Sequence, residues 1–137
     1  MFRWHADAIG VVFILGVSQR SGTNYLARLL QCHADCGSPA MPLAEDHLLG
    51  PADLLTRYAD AVTRRWHPNW GEQDPARTDL EVHIGTGLLS FLEARSDRPV
   101  VVTKTPNFEN LRLYPRLFPR TPLLLLVRDG RVHFVGE

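Results

Sequence analysis

Basic residues lie in the short polar segments that end three apolar runs of the chain. The first run leads into SQRSGT with Arg20, the second into TKTPN with Lys104, and the third into RDGR with Arg128 and Arg131. The whole chain balances 15 Lys and Arg against 15 Asp and Glu, so overall composition does not explain these positions. Such a set of cations suits a ligand that carries several negative charges, such as phosphate or sulfate groups.

The three apolar runs predict the strands that would bring these cations together. The run at residues 9–15 lacks the alternation of a half-exposed strand, which is typical of a strand buried on both faces, and the apolar runs at 100–103 and 123–127 predict two further strands. Helical spacing of apolar residues follows the first run, so strands and helices alternate along the chain. Alternation of this kind predicts a parallel sheet whose carboxyl ends meet at one edge, where open α/β folds bind ligands.

Helices and loops are predicted for the remaining segments as follows. A first helix starts at Thr23, and a second follows Pro51 with one apolar face. The spacing of Thr78 and Glu81 matches a capping box and predicts a third helix from there to about Ala94. A short helix ends at Pro115, and residues 34–47 and 67–77 are predicted as loops. The face assigned to the second helix consists of Leu54, Leu55, Tyr58, Ala61, Val62 and Trp66.

The loop after the first strand has the composition of an anion-binding loop. Small residues at Ser18, Ser21 and Gly22 allow main-chain N–H groups to face inward at the start of the helix, where the helix dipole adds positive potential. The loop differs from the nucleotide P-loop GxxxxGK[ST], because Thr23 stands where the lysine would be and Arg20 precedes the glycine. An ordinary turn between strand and helix remains an alternative.

Three segments in the same order resemble the PAPS-dependent sulfotransferases. GVSQRSGTNYL resembles the 5′-phosphosulfate loop of that family, LLLLVRDGR resembles its 3′-phosphate motif, and VVVTKTPNFENLRLYPRLFP resembles the segment between them. The resemblance covers most of the chain. It implies a P-loop-like α/β fold, with a parallel sheet flanked by helices in three layers. The implied activity is transfer of a sulfuryl group from PAPS to a hydroxyl or amine acceptor.

The resemblance also implies roles for individual residues. Arg20 matches the basic residue on the 5′-phosphosulfate, and Lys104 matches a lysine near the transferred group. Arg128 matches the arginine that holds the 3′-phosphate. Further donors to the 5′-phosphosulfate would come from the four residues Ser21, Gly22, Thr23 and Asn24.

A general base for the acceptor is expected near residues 44–47. In one branch of the family a histidine two places after the lysine has this role, but Pro106 stands there. Other branches use a glutamate after the first helix, which makes Glu45 the candidate and His47 the second choice. The alternative is that Glu45 and Asp46 are ordinary acidic residues of a loop that precedes a helix and have no catalytic role.

The end of the chain departs from the family pattern. The 3′-phosphate motif normally continues to a serine, and Gly136 occupies that place. Residues 1–137 are therefore interpreted as one domain that corresponds to the N-terminal part of a sulfotransferase and is incomplete at its C-terminus. Two other functions stay open: a P-loop nucleotide kinase or NTPase, and an anion-binding remnant without catalysis.

Composition sets the remaining expectations. The neutral balance of charge gives no indication of nucleic-acid or membrane binding, and a cytoplasmic location is predicted. Cys32, His33 and Cys36 are close in sequence but lack a fourth ligand at suitable spacing, so no metal is expected. The acceptor is predicted to be a small molecule or a carbohydrate. Its pocket is expected to draw on the aromatic residues Trp66, Trp70 and Phe108, although aromatic side chains more often belong to a core.

Overall fold

A computed structural model describes residues 10–17 and 21–127, and in these residues four parallel strands form one sheet. The strands are β1 (Val11–Gly16), β2 (Cys36–Gly37), β3 (Val100–Thr105) and β4 (Leu123–Leu126), and their order across the sheet is β2-β3-β1-β4. The predicted α/β class with a parallel sheet is confirmed.

Strand β1 lies inside the sheet because its side chains are apolar on both faces. Ile14 is fully buried, and Phe13 and Leu15 are almost so. Ile14 is paired with Lys104 of β3, and Gly16 is paired with Leu126 of β4. The carboxyl end of β1 therefore lies between the carboxyl ends of β3 and β4, which agrees with the prediction that the strand ends meet at one edge of a parallel sheet.

Between residues 21 and 127, four α-helices and two short 3₁₀ helices connect the strands. The helices are α1 (Thr23–Leu30), α2 (Ala52–Thr63), α3 (Gln73–Glu93) and α4 (Tyr114–Leu117), and the 3₁₀ helices are Pro68–Trp70 and Leu111–Leu113. No helix in residues 21–127 combines the length and hydrophobicity needed to cross a membrane.

The described residues form two compact units. The first contains the residues up to Asp46, those from Phe91 to Phe108, and those from Thr121 onward. It therefore holds the sheet and α1, and its core includes Ile14, Ala27 and Val102. The second unit contains the remaining described residues, with α2, most of α3, and α4.

Helices α3 and α4 of the second unit are joined by a buried ion pair and by a close main-chain contact. Arg116 of α4 donates from Nε to Oε1 of Glu81 at 3.2 Å and from Nη2 to the second carboxylate oxygen. The Glu81 side chain is 4% exposed, so the two-point contact with Arg116 takes the place of the water that would otherwise surround its carboxylate. One turn further along α3, a Cβ at Gly85 would overlap the main-chain carbonyl of Leu117, so only glycine fits there.

Two helix boundaries differ from the sequence prediction. Helix α3 begins at Gln73, which makes residues 73–77 helical rather than loop and places Thr78 inside the helix. The start is instead marked by Asp74 and Pro75, which lie in the first turn, where a missing N–H and a negative charge are both tolerated. Pro115 likewise lies at the beginning of α4 and does not end a helix.

Two further predictions about local structure were wrong. Cys36 and Gly37 pair with Val100 and Val101 as a short strand within the predicted loop 34–47. The predicted apolar face of α2 is not the buried one, because Leu54 and Tyr58 are 57% and 62% exposed. The buried stripe consists of small residues, Ala52, Thr56, Ala59 and Thr63.

Candidate active site

The described part of the loop after β1 has the backbone of an anion-binding turn. Gly22 precedes α1 in the left-handed region, at φ 100° and ψ 14°. A side chain at this φ is strained, and a Cβ would also lie 3.2 Å from Leu126 Cδ2 of β4. Glycine is thus needed for the chain to turn from β1 into the start of α1.

One buried polar side chain at this turn has no hydrogen-bond partner among the described residues. The Oγ of Ser21 is buried and accepts or donates no hydrogen bond in the described chain, while the residue itself is 5% exposed. No side chain caps the start of α1, whose first hydrogen bond runs from Leu26 N–H to the Gly22 carbonyl. A buried hydroxyl without a partner is costly unless a ligand satisfies it. This turn therefore suits a bound oxyanion.

The end of β3 is tied to the loop at residues 44–46 by three hydrogen bonds. Lys104 Nζ donates to the carbonyl of Ala44 at 3.1 Å, and Asp46 N–H donates to the carbonyl of Lys104 at 3.1 Å. Thr103 Oγ1 donates to Asp46 Oδ2 at 2.8 Å, and both residues are buried. We call these three contacts the β3 latch. The latch fixes the loop against the strand that carries Lys104.

The two candidate bases are placed differently. Glu45 is half-buried, and both of its sequence neighbours take part in the β3 latch, so its backbone is held beside the end of β3. His47 is exposed, has a positive φ of 50°, and belongs to the second compact unit. The local structure thus favours Glu45 as the residue with a fixed position near Lys104.

Asn24 and Lys104 line the same cavity, which has a volume of about 290 Å³. The cavity lies between α1, the end of β3, and residues 38–44. Two residues assigned to the site from separate segments are therefore brought together. Ser21 and Thr23 are buried at the preceding turn.

The other predicted cations lie outside the described residues. Arg20 belongs to the loop segment 18–20, and Arg128, Arg131 and Gly136 follow residue 127. Their assigned roles remain predictions. In the described chain, Lys104 lies within β3, one residue before its end rather than in the following loop, and β4 ends two residues before Arg128 in the sequence.

Three residues of the site were missed by the sequence reasoning. Asp46 had been considered only as a loop residue, but its buried carboxylate accepts a hydrogen bond from Thr103. Arg28 also lines the cavity beside Lys104. A signal for Thr103 existed in the sequence, since a hydroxyl in an apolar buried strand requires a partner.

The aromatic residues proposed for the acceptor pocket do not line this cavity. Trp66 and Trp70 belong to the second unit, where they border a separate hollow of about 390 Å³. Phe108 is 47% exposed. Among the residues described, no cluster of His, Cys, Asp and Glu has the arrangement of a metal site.

A parallel α/β sheet with a glycine turn at the end of an inner strand is the arrangement of P-loop-like proteins. The sequence agrees with one family of that class: residues 11–135 match the family model described as Sulfotransferase family. The chain belongs to the sulfotransferase family. A search of curated proteins finds no match to it.

Proposed function

We propose that the chain transfers a sulfuryl group from PAPS to a hydroxyl or amine acceptor. The observation that carries this proposal is the position of the Ser21–Gly22 turn, at the end of the strand between β3 and β4. Membership of the sulfotransferase family supports sulfuryl transfer as the reaction class. The donor, the acceptor and the residue roles are part of the proposal.

The described residues fit the 5′-phosphosulfate of PAPS. The unpartnered Oγ of Ser21 provides one buried donor, and the uncapped start of α1 provides main-chain N–H groups with the positive end of the helix dipole. Thr23 and Asn24 add polar side chains in the first turn. When bound, PAPS supplies an activated sulfuryl group on a phosphate leaving group.

Cations would stabilise the charge that develops on the leaving oxygen. Sulfuryl transfer resembles phosphoryl transfer, in which positioned positive charge is the main catalytic resource. Arg20 and Lys104 have this role in our proposal, and Arg128 binds the 3′-phosphate. The Ala44 carbonyl accepts only one of the three ammonium protons of Lys104, which leaves donors for a sulfuryl oxygen.

Glu45 is assigned as the general base that takes the proton of the acceptor hydroxyl. A base works only when its distance from the acceptor is controlled. The β3 latch provides that control, because Thr103 and Lys104 hold both neighbours of Glu45 through contacts on Asp46 and Ala44. Thr103 and Asp46 are thus positioning residues.

No observation favours nucleotide kinase activity or a remnant without catalysis. The kinase alternative requires a lysine directly after the glycine, where this chain has Thr23 in a buried position. The acceptor is a small molecule or a carbohydrate, and the predicted cytoplasmic location, the absence of nucleic-acid or membrane partners and the absence of a metal remain predictions.

Binding of PAP and of AMP tests the donor assignment, since the two differ only in the 3′-phosphate. Titration calorimetry is expected to give at least tenfold tighter binding of PAP. The Arg128→Ala variant should lose that difference, whereas Arg65→Ala, a change at an exposed arginine, should keep it. Transfer of labelled sulfate from PAPS to a mixed acceptor panel completes the test.

Three results would overturn the proposal. Equal affinity for PAP and AMP would show that the chain does not bind the 3′-phosphate. Tight binding of ATP with Mg²⁺ in preference to PAP would support the kinase alternative. Binding of PAP without any transfer across the panel would support a remnant without catalysis.

A further inference from the structure

The cavity beside Lys104 is lined by both polar and apolar residues. Its polar side chains come from α1, from the segment after β2 and from β3, and its apolar contacts include Ala27 and Leu43. A volume of about 290 Å³ matches one sugar-sized ring and is small for a drug-sized ligand. The polar lining residues are Asn24, Arg28, Gln31, Ser38, Thr103 and Lys104.

The charge of this lining is entirely positive. Arg28 and Lys104 contribute two cations, and no carboxylate belongs to the lining. Glu45, the assigned base, follows the lining residue Ala44 but does not line the cavity, and the Asp46 carboxylate is buried and accepts a hydrogen bond from Thr103. Arg28 is exposed in the last turn of α1, and it forms no ion pair with any residue of the described chain. An arginine in this state is available for a ligand anion.

The walls of the cavity are fixed before any ligand binds. On one side, Ala40 N–H donates to the Arg95 carbonyl at 2.8 Å, and Arg95 Nη2 donates to the Met41 carbonyl at 2.7 Å. On the other side, the β3 latch holds Ala44 to Lys104 at 3.1 Å. The segment between Ala40 and Ala44 is therefore anchored at both ends. Preorganisation of this kind lowers the entropy cost of binding.

A second cation is unnecessary for a neutral acceptor. The donor itself is anionic, so an acceptor that also carries a negative charge is repelled unless a further cation offsets it. Lys104 is assigned to the sulfuryl group, and Arg28 is the remaining cation of the cavity. The arrangement separates one positive charge for the donor from one for the acceptor.

We infer that the acceptor is a hydroxylated carboxylate of the size of one sugar ring, with its carboxylate bound by Arg28 and its reacting hydroxyl near Lys104. This inference rests on the proposed function, and it specifies the acceptor within it. The amides of Asn24 and Gln31 and the hydroxyl of Ser38 provide hydrogen bonds for the other ring hydroxyls.

A matched pair of acceptors tests the inference. 4-Nitrophenyl β-D-glucuronide and 4-nitrophenyl β-D-glucoside differ only at the carboxylate. In ligand-observed NMR titrations with PAP present, the glucuronide is expected to bind at least tenfold more tightly. Arg28→Gln should bring the two affinities within about twofold, because one bidentate contact to a carboxylate is lost. Arg28→Lys should restore part of the preference, and the control Arg65→Gln should keep it fully.

The affinity for PAP, measured on the same samples, separates this inference from the proposed function. Equal binding of the two glycosides, or a preference that survives Arg28→Gln, would overturn the acceptor assignment while PAP binding leaves the donor assignment standing. Loss of PAP binding by the unsubstituted chain would instead overturn the proposed function. A glucuronide preference that Arg28→Gln removes, with PAP affinity unchanged, supports both.

Discussion

The two compact units differ in how they satisfy their polar side chains. In the second unit the buried Glu81 carboxylate is bound at two points by Arg116. Hydrogen bonding to Glu81 raises the pKa of Arg116, while burial acts in the opposite direction. In the first unit the buried Ser21 Oγ has no partner, and Arg28 forms no ion pair in the described chain.

This difference indicates which side chains serve binding and which serve stability. An unsatisfied polar group in a native protein weakens the fold and is retained where a ligand uses it. A buried charge with a complete partner holds the fold and has no capacity left for a ligand. Substitutions at the candidate site of the first unit should therefore change binding or transfer, and substitutions at the Glu81–Arg116 pair of the second unit should change the free energy of unfolding.

The largest effect is expected for Arg20→Ala. Loss of a cation that acts in the transition state corresponds to about 2.7–4 kcal/mol, or roughly a 10²- to 10³-fold lower kcat. Steady-state transfer from PAPS measures this effect, and urea unfolding checks that stability is unchanged. Full turnover in a folded Arg20→Ala variant would contradict the role of Arg20 in the transition state. A loss of stability of about 2.7–4 kcal/mol would contradict the view that side chains of the candidate site serve binding and not stability.

The next effect concerns stability in the second unit. Arg116→Met should lower the free energy of unfolding by about 3 kcal/mol, because the buried Glu81 carboxylate loses its partner. Removal of one partner of a buried ion pair typically costs about 3–5 kcal/mol. The low end of that range is expected here because the Arg116 side chain is 37% exposed. The control is Arg57→Met, whose exposed pair with Asp53 should contribute less than about 1 kcal/mol. Similar losses of unfolding free energy in both variants, measured by urea denaturation, would show that the Glu81–Arg116 pair contributes no more to stability than an exposed ion pair.

A smaller effect on catalysis is expected for the general base. Glu45→Gln should keep the affinity for PAP and lower transfer on the order of a hundredfold, since the amide does not accept the acceptor proton. His47→Ala should have little effect on kcat. The reverse pattern would exchange the two roles, and unchanged transfer in both variants would place the base elsewhere.

The smallest effect is expected for Ser21→Ala. The affinity for PAP should fall about tenfold, because a hydrogen bond to a charged oxygen is lost. Stability should not fall and should rise by up to about 1 kcal/mol, because the substitution removes a buried hydroxyl that has no partner in the described chain. Ser90→Ala, at an exposed serine of α3, is the matched control. A stability loss above 1 kcal/mol without a change in affinity would identify Ser21 as a structural residue.

The sheet was predictable because its three longer strands are continuous apolar runs. Residues in β1 and β3 bury both faces, and that requirement is visible in the sequence without knowledge of the partners. The strand Cys36–Gly37 was not predictable, since it pairs only through main-chain groups along two residues. The buried face of α2 also depends on what packs against it, and large apolar side chains such as Leu54 gave the wrong face.

The site was predictable only as a set of residue types. Lys104 was placed in the candidate site by its position at a strand end and Asn24 by the resemblance to sulfotransferases, and both line one cavity. The contact between Thr103 and Asp46 joins residues 57 positions apart and depends on the path of the intervening loop. Arg28 became a candidate only when the geometry showed which face of α1 borders the cavity.

The β3 latch and the hydrogen bond from Arg95 to the Met41 carbonyl determine how the proposed acceptor specificity of this chain can change. Arg95 and Lys104 bind the carbonyl oxygens of Met41 and Ala44, and a carbonyl oxygen is present whichever amino acid occupies these positions. Side chains at 41 and 44 can therefore be exchanged while the loop keeps its place and Lys104 keeps its contact. A library randomised at these two positions would sample new acceptors against an unchanged donor site, which makes this loop the natural place for evolution or engineering to redirect the enzyme.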